Sequence, residues 1–229
     1  MKFVTYTNND GETPRFGFKR DDEIVDVIRS GIWVNENIKD SSFLTVPTTL
    51  KLALGNWDIN FSKLKNLNQA IPDTDLSSLE VDEKPIAIKE SEASLLPPVT
   101  NPDTFRDFYA FEQHVKAARK LRGLEMHPDW YKLPIFYFSN PTTLYGHGEI
   151  VPYPTGTEEL DFELEFAIII ANGGQNIKKE NADKMIAGYT ILNDWSARDL
   201  QREEMQLNLG PAKGKDFANS FGPYMVTPD

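Results

Sequence analysis

The stretch that most constrains the fold runs from 160 to 170 and reads Leu-Asp-Phe-Glu-Leu-Glu-Phe-Ala-Ile-Ile-Ile. In an extended strand successive side chains point to opposite faces, so Leu160, Phe162, Leu164 and Phe166 share one face while Asp161, Glu163 and Glu165 share the other. The acidic face continues as Ala167 and Ile169, which are apolar, so it runs into a core. Two readings remain open. One is a half-solvated strand with a wet acidic face. The other is a pair of carboxylates entering a low-dielectric region, where they repel each other and favour protonation unless a cation neutralises them. Glu163 and Glu165, two residues apart on one face, could then ligate one ion.

Composition removes several classes of function. The 229 residues carry 40% hydrophobic and 26% charged side chains, ordinary for a globular chain of one or two domains. A formal charge of −11 argues against an electrostatic grip on nucleic acid or on an anionic membrane. With 0 Cys there is no disulfide, no thiol nucleophile and no thiolate metal site. The opening residues turn polar by Asn8 and Asn9, too soon for a signal-peptide apolar region. No apolar run approaches the roughly 20 residues of a membrane span. A cytoplasmic protein is the default expectation.

Along the chain, residues 1–30 read as short strands around turns, with Asn9-Asp10-Gly11 as a turn signal and Ile24-Val25-Asp26-Val27-Ile28 as a third strand. Short helices are expected at 45–54 and 61–67, and a strand near Ile86-Ala87-Ile88. The Pro-rich crossing Leu95-Leu96-Pro97-Pro98 marks the expected boundary between domains 1–94 and 95–229. Beyond it, 105–121 reads as a helix with Phe108, Phe111, Val115 and Ala118 on one stripe. Strands follow at 134–138 and 160–170, a helix at 178–187, a strand at 189–193, a helix at 196–204 and a strand from Tyr224. The expected class is α+β.

Few residues can do chemistry. Asp194 sits where a strand passes into a helix, either capping that helix or, if Ser196 caps it, free to act as a ligand. Arg198 and Gln201 follow on the first turns. Asp107 and His114 are seven apart, two turns of one expected helix, and so would share a face. With only 3 His in the chain, a general base near neutral pH has few candidates. The segment from Leu209 to Phe217 lacks the spacing of a phosphate-binding loop. It could still hold Lys215 beside a substrate.

Taken together and in order, these segments resemble the fumarylacetoacetate hydrolase family. The matching runs are Asp107-Phe108-Tyr109 with Gln113-His114, Trp130 to Tyr137, Leu160 to Glu165, Asn193-Asp194-Trp195-Ser196-Ala197-Arg198-Asp199-Leu200-Gln201, and Leu209-Gly210-Pro211 with Gly214-Lys215. The resemblance covers about 95–229 and, more loosely, a small β-rich N-terminal domain; it implies a mixed β-roll catalytic domain. It makes Asp107, Glu163, Glu165 and Asp194 the ligands of one divalent cation, and an all-carboxylate set suits Mg²⁺ or Ca²⁺. It assigns His114 as the base that activates water. Arg198, Gln201 and Lys215 become the groups that stabilise charge on the attacked carbonyl, and Tyr109 and Tyr137 substrate contacts. Either Arg119 or Arg122 could match the family's substrate-binding Arg.

The implied activity is hydrolysis of a carbon–carbon bond in a 1,3-diketone or 3-oxo acid by a homodimer. The rivals on the same scaffold are a 2-oxo acid decarboxylase, an isomerase, a hydratase, or a non-catalytic relative that only binds. The family's catalytic domain continues beyond the position matching Asp229, so the roll is expected to be incomplete. The acid that orients the base is also expected to be absent, since Ala117 stands where some branches place it. Residues 1–229 expressed alone are therefore expected to be inactive, for want of that acid, and poorly stable, because strand edges are left unpaired and each large apolar side chain left in water forfeits about 1.5–3 kcal/mol. Thermal unfolding and oxo-acid hydrolysis, measured beside a longer form of the protein, check this. Cooperative folding with comparable turnover would contradict it.

Overall fold

Every residue from Phe3 to Tyr6 is buried, because the first strand has a core on each face. Phe3 packs with Phe16, Phe18 and Val25 on one side, and Val4 and Tyr6 pack with Ile24 and Leu95 on the other. The computed structural model describes residues 1–8 and 13–229. The expected Asn9-Asp10-Gly11 turn lies outside them.

The elements in order are β1 (Lys2–Asn8), β2 (Arg15–Arg20), β3 (Glu23–Asp26), α1 (Val27–Ile38), α2 (Leu50–Leu54), α3 (Trp57–Ala70), β4 (Glu80–Val81), β5 (Lys84–Pro85), β6 (Ala87–Lys89) and β7 (Ala93–Leu96). They continue with β8 (Arg106–Phe108), α4 (Glu112–Leu121), β9 (Phe136–Phe138), β10 (Leu144–Tyr145), β11 (Leu160–Asp161) and β12 (Leu164–Ile170). The last are β13 (Ile186–Asp194), β14 (Ser196–Ala197), α5 (Arg198–Gln206), β15 (Asn219–Phe221) and β16 (Met225–Val226). This is the expected α+β mixture. Among the described residues no helix is long and apolar enough to cross a membrane.

One mixed 10-stranded sheet runs in the order β10-β15-β13-β16-β1-β2-β3-β6, with β12 on β13 and β7 on β1. Among the described residues only β10 and β15 pair in parallel within it. β1 meets β16 through Lys2 and Phe3, and β7 through Thr5 to Asn8, so the sheet passes from the first residues straight into the last. Position 94/95 falls inside β7. The larger core likewise joins both parts of the chain, since Ala187 and Met225 pack with Phe3, Trp57 and Leu64. On that side Trp57 stacks on Phe61 with ring centroids 4.9 Å apart.

Several sequence expectations change. The third strand stops at Asp26, whose carboxylate accepts the Arg29 N–H at 2.8 Å and caps a helix that the run of β-branched residues concealed. The helix expected at 45–54 begins only at Leu50, because Val46 before Pro47 is extended and Thr49 is the cap. The one expected at 61–67 is the middle of the longer α3. The 105–121 segment is helical only from Glu112. Its first residues form β8 against β9, held by Phe108–Phe136 ring contact and by the Arg106 guanidinium over Phe136 and Phe138. Asp107 and His114 therefore lie on different elements. The strand expected at 160–170 is interrupted at Phe162 and Glu163: β11 pairs with β14, and β12 with β13. The 178–187 helix is a 3₁₀ segment over Lys179–Met185, and the last helix starts at Arg198 rather than 196.

Asp26 ties this frame together. It is 1% exposed, accepts from the Tyr6 hydroxyl at 2.9 Å and pairs with the Arg15 guanidinium at 2.5 Å. Burial, with Asp26 alongside, holds the Tyr6 phenol well above its ordinary range, so it stays a donor. Asp26→Ala is expected to lower the free energy of unfolding by about 3–5 kcal/mol in urea titrations, the scale for breaking a buried ion pair from one side. A loss below about 0.5 kcal/mol, typical of a surface change, would show that this carboxylate does not join strand to helix.

Candidate active site

Asp107 reaches the site from β8 because the β8–β9 ladder sets it directly opposite Tyr137. On the facing side, Asp194 is the last residue of β13. Its N–H donates to the Glu163 carbonyl at 3.0 Å, and the Asn193 side-chain oxygen accepts the Glu163 N–H at 3.1 Å. These two bonds hold Glu163 in the break between β11 and β12, beside Asp194. Glu165 lies one step further, on the half-buried face of β12 that continues through Ala167 to Ile169, which packs on the core. The exposed face of β12 is the apolar one, with Leu164, Phe166, Ile168 and Ile170 all open to solvent.

Two cations enter this acidic group. The Lys215 ammonium, on a side chain only 3% exposed, donates to Glu163 at 2.5 Å and to Asp194 at 2.8 Å. Arg198 donates to Glu163 at 2.6 Å, to Asp161 at 2.9 Å and to the Gln201 side-chain oxygen at 3.1 Å. The Tyr137 hydroxyl donates to the same Asp194 oxygen that Lys215 uses. Burial and the neighbouring Asp194 and Asp107 push the Tyr137 phenol far above its ordinary value, so it remains a neutral donor.

The electrostatics divide the carboxylates. Burial pushes Glu163 up, but Lys215 and Arg198 outweigh it and hold the group below its usual value. Asp194 stays raised, its burial only partly offset by Lys215 and Tyr137. Glu165 is raised by burial and by Glu163 and Asp194. Asp107 is pushed up to about 7, first by burial and then by Asp194 and Glu165. The second oxygen of Asp194 is buried without a hydrogen-bond partner. Among the described residues no three carboxylate or imidazole groups close on a common point as placed, and Glu163 has both oxygens engaged by cations. An unpartnered buried carboxylate oxygen and three carboxyl groups raised by burial and by neighbouring carboxylates still mark a donor set short of positive charge. All-oxygen donors of this kind fit a hard divalent ion.

His114 stands on α4, exposed, its ring 5.9 Å from that of Tyr109 and edge-on to it. It is close enough to Glu165 to lower that group's pKa slightly against the other influences. No hydrogen bond to its ring is present among the described residues. Tyr109 is held by the Trp130 indole, which donates to its carbonyl at 2.8 Å, and its hydroxyl accepts from Arg122 at 3.3 Å. Arg119 turns away to the Glu125 carbonyl. The sequence left the two arginines equivalent; Arg122 is the one facing Tyr109.

Sequence reasoning missed three residues here. Asp161 grips Arg198 from β11 and belongs to the acidic run already singled out. Asn193 positions Glu163. Glu204 lies on α5 two steps of three beyond Arg198, with Gln201 between them, a spacing that was available as a signal.

Residues 103–229 match the family described as fumarylacetoacetate (FAA) hydrolase C-terminal. The fumarylacetoacetase of Arabidopsis thaliana is 29% identical over 258 aligned residues, covering 100% of this chain and 60% of its own. That of Oryza sativa is 31% identical over 79% of this chain and 47% of its own. The oxaloacetate tautomerase YisK of Bacillus subtilis is 40% identical over 94 residues, 41% of this chain and 31% of its own. The chain thus spans less than two thirds of the length of these relatives. Among solved structures, the fumarylacetoacetate hydrolase of Exiguobacterium antarcticum superposes with a TM-score of 0.58 at 24% identity, covering 99% of this chain and 66% of its own, a likeness of fold. With the family match running over more than half its length, the chain belongs to the fumarylacetoacetate hydrolase family.

Proposed function

We propose that the chain carries the metal and base groups of a hydrolase that cleaves a carbon–carbon bond in a 1,3-diketone or 3-oxo acid, fumarylacetoacetate-like or acylpyruvate-like. The observation that supports this is the placing of Asp107, Glu165 and Asp194, each raised by burial and by neighbouring carboxylates, around Glu163 and beside the donors Lys215, Arg198 and Tyr137. The four carboxylates would hold the ion, Mg²⁺ or Ca²⁺. When bound, it would supply Lewis acidity toward the substrate's carbonyl groups.

The protein groups do the rest. His114 takes a proton from water, which attacks one carbonyl carbon. Lys215 and Arg198, with Gln201 beside them, oppose the negative charge that gathers on the attacked oxygen. As the tetrahedral species collapses, the carbon–carbon bond breaks, its electron pair leaves with the carbon next to the second carbonyl, and that carbon takes up a proton that balances the one His114 removed from water. Tyr109 and Tyr137 contact the substrate, with Tyr137 fixed in its neutral form. The same reading includes a small oxo-acid substrate and a cytoplasmic homodimer.

A second reading rests on the 40% local identity to the tautomerase. A site that moves a proton along an oxo acid without breaking carbon bonds needs the same ion and base. Product analysis after incubation with a panel of oxo acids separates the two, since hydrolysis releases two fragments and tautomerisation none. In the hydrolytic case His114→Ala in the complete protein is expected to lower turnover about 10²–10⁴-fold while calorimetric titration shows divalent-cation binding nearly intact. Wild-type turnover in that variant would remove His114 from the mechanism.

A further inference from the structure

Lys215 does its work from a loop, and loops seldom hold an ammonium to a fraction of an ångström unless something fixes their backbone. The segment after α5 folds back on that helix. A side chain at Gly214 would come within 2.8 Å of the Gln201 backbone nitrogen, so the two backbones are in contact. The Gly214 carbonyl accepts the Ala197 N–H at 2.9 Å. The N–H groups of Lys215 and Asp216 both turn back to the Ala212 carbonyl, at 2.9 and 2.8 Å. That leaves the consecutive N–H groups of Ala212, Lys213 and Gly214 pointing the other way, towards α5.

All three meet one carboxylate. Glu204 accepts from Ala212 at 3.1 Å, from Lys213 at 2.8 Å and from Gly214 at 3.0 Å. Consecutive backbone N–H groups of this kind form an anion-binding concavity, and here the anion is supplied by the protein itself. The Lys213 ammonium adds little, at 3.7 Å on a side chain 82% exposed. Burial works against the Glu204 charge, but the three N–H groups prevail and hold the carboxyl below its usual value. Arg198, Gln201 and Glu204 thus occupy successive turns along one face of α5. The first two face the acidic site, and the third grips the loop that delivers Lys215.

We propose that Glu204 is a positioning residue for Lys215, clamping the 212–214 backbone onto α5 so that the buried ammonium lands between Glu163 and Asp194. The inference rests on the hydrolase reading above for its kinetic expression, though not for its geometry. Hydrogen bonds to an ionised group are among the stronger ones, and displacing a reacting group by about 1 Å can cost about 100-fold in rate.

The test is a double-mutant cycle of Glu204→Ala and Lys215→Met, read as kcat and KM for oxo-acid hydrolysis, with amide hydrogen exchange at 212–214 and thermal unfolding measured alongside. Glu204→Ala is expected to speed exchange of those three amides and to lower kcat about 10–100-fold with little change in KM. In the Lys215→Met background it should lower kcat by less than about 2-fold, because the group it positions is already gone. Glu204→Gln, which keeps one acceptor oxygen, should fall between, and it carries the comparison if the Ala variant does not fold. A full additional loss on top of Lys215→Met, or wild-type kcat in Glu204→Ala with the amides released, overturns the proposal. The cycle is run in the longer form of the protein, and absence of oxo-acid turnover in that wild-type form would count against the hydrolase reading instead. The cycle is then read as the dissociation constant for Mg²⁺, since Lys215 contacts two of the four carboxylates. Non-additive shifts in one direction support the clamp, and additive ones overturn it.

Discussion

The ammonium of Lys215 sits almost sealed from solvent between Glu163 and Asp194, and the site is arranged around that contact. Placing like charges together in a poorly solvated region costs several kcal/mol per ion unless opposite charge and hydrogen bonds offset it. Lys215 and Arg198 do this for Glu163, whose carboxyl is held low. They do not do it for the whole group, because the carboxylates outnumber the two cations. Asp107, Glu165 and Asp194 all remain raised, and one oxygen of Asp194 has no partner. A divalent cation would relieve that imbalance, and the same imbalance explains why so many donors are gathered around it.

Holding such a site open requires a frame that does not yield to its internal repulsion. Asp194 ends β13, which pairs on one edge with β12 and on the other with β15 and β16. β16 in turn pairs with β1, which is buried on both faces and braced by the Tyr6–Asp26–Arg15 contacts. A strain placed on Asp194 is therefore carried into the sheet of the N-terminal residues. The small pairs β8–β9 and β11–β14 add the remaining groups, each delivering its acid by strand register: Asp107 opposite Tyr137, and Asp161 opposite Ser196 next to Arg198.

Many of the residues that the structure brings together around Lys215 were legible in the sequence, while the local geometry often was not. The alternation from Leu160 to Ile169 gave the two faces of the acidic strand, because side-chain alternation depends only on the extended backbone. It could not show the break at Phe162 and Glu163, which follows from pairing with two different partners, β14 and β13. The apolar spacing of Phe108, Phe111 and Val115 suggested one helix, yet contacts of Phe108 and Arg106 with β9 pull the first residues into a strand. Those contacts join residues about thirty apart and leave no local trace. Val27 and Ile28 read as strand because they are β-branched, and the Asp26 cap turned them into a helix. Glu204 stands at helical spacing from Arg198 and Gln201, but its partners are backbone N–H groups, which carry no residue identity, so only the spacing and not the contact could be read.

The proposed function requires Asp107, Glu163, Glu165 and Asp194 to hold one cation together. The most direct measurement is anomalous diffraction from crystals grown with Mn²⁺, which takes oxygen ligands as Mg²⁺ and Ca²⁺ do. The account predicts a single strong peak with oxygens of all four carboxylates at about 2.0–2.6 Å. A peak elsewhere, or one that leaves Asp194 bound only to Lys215 and Tyr137, would contradict it.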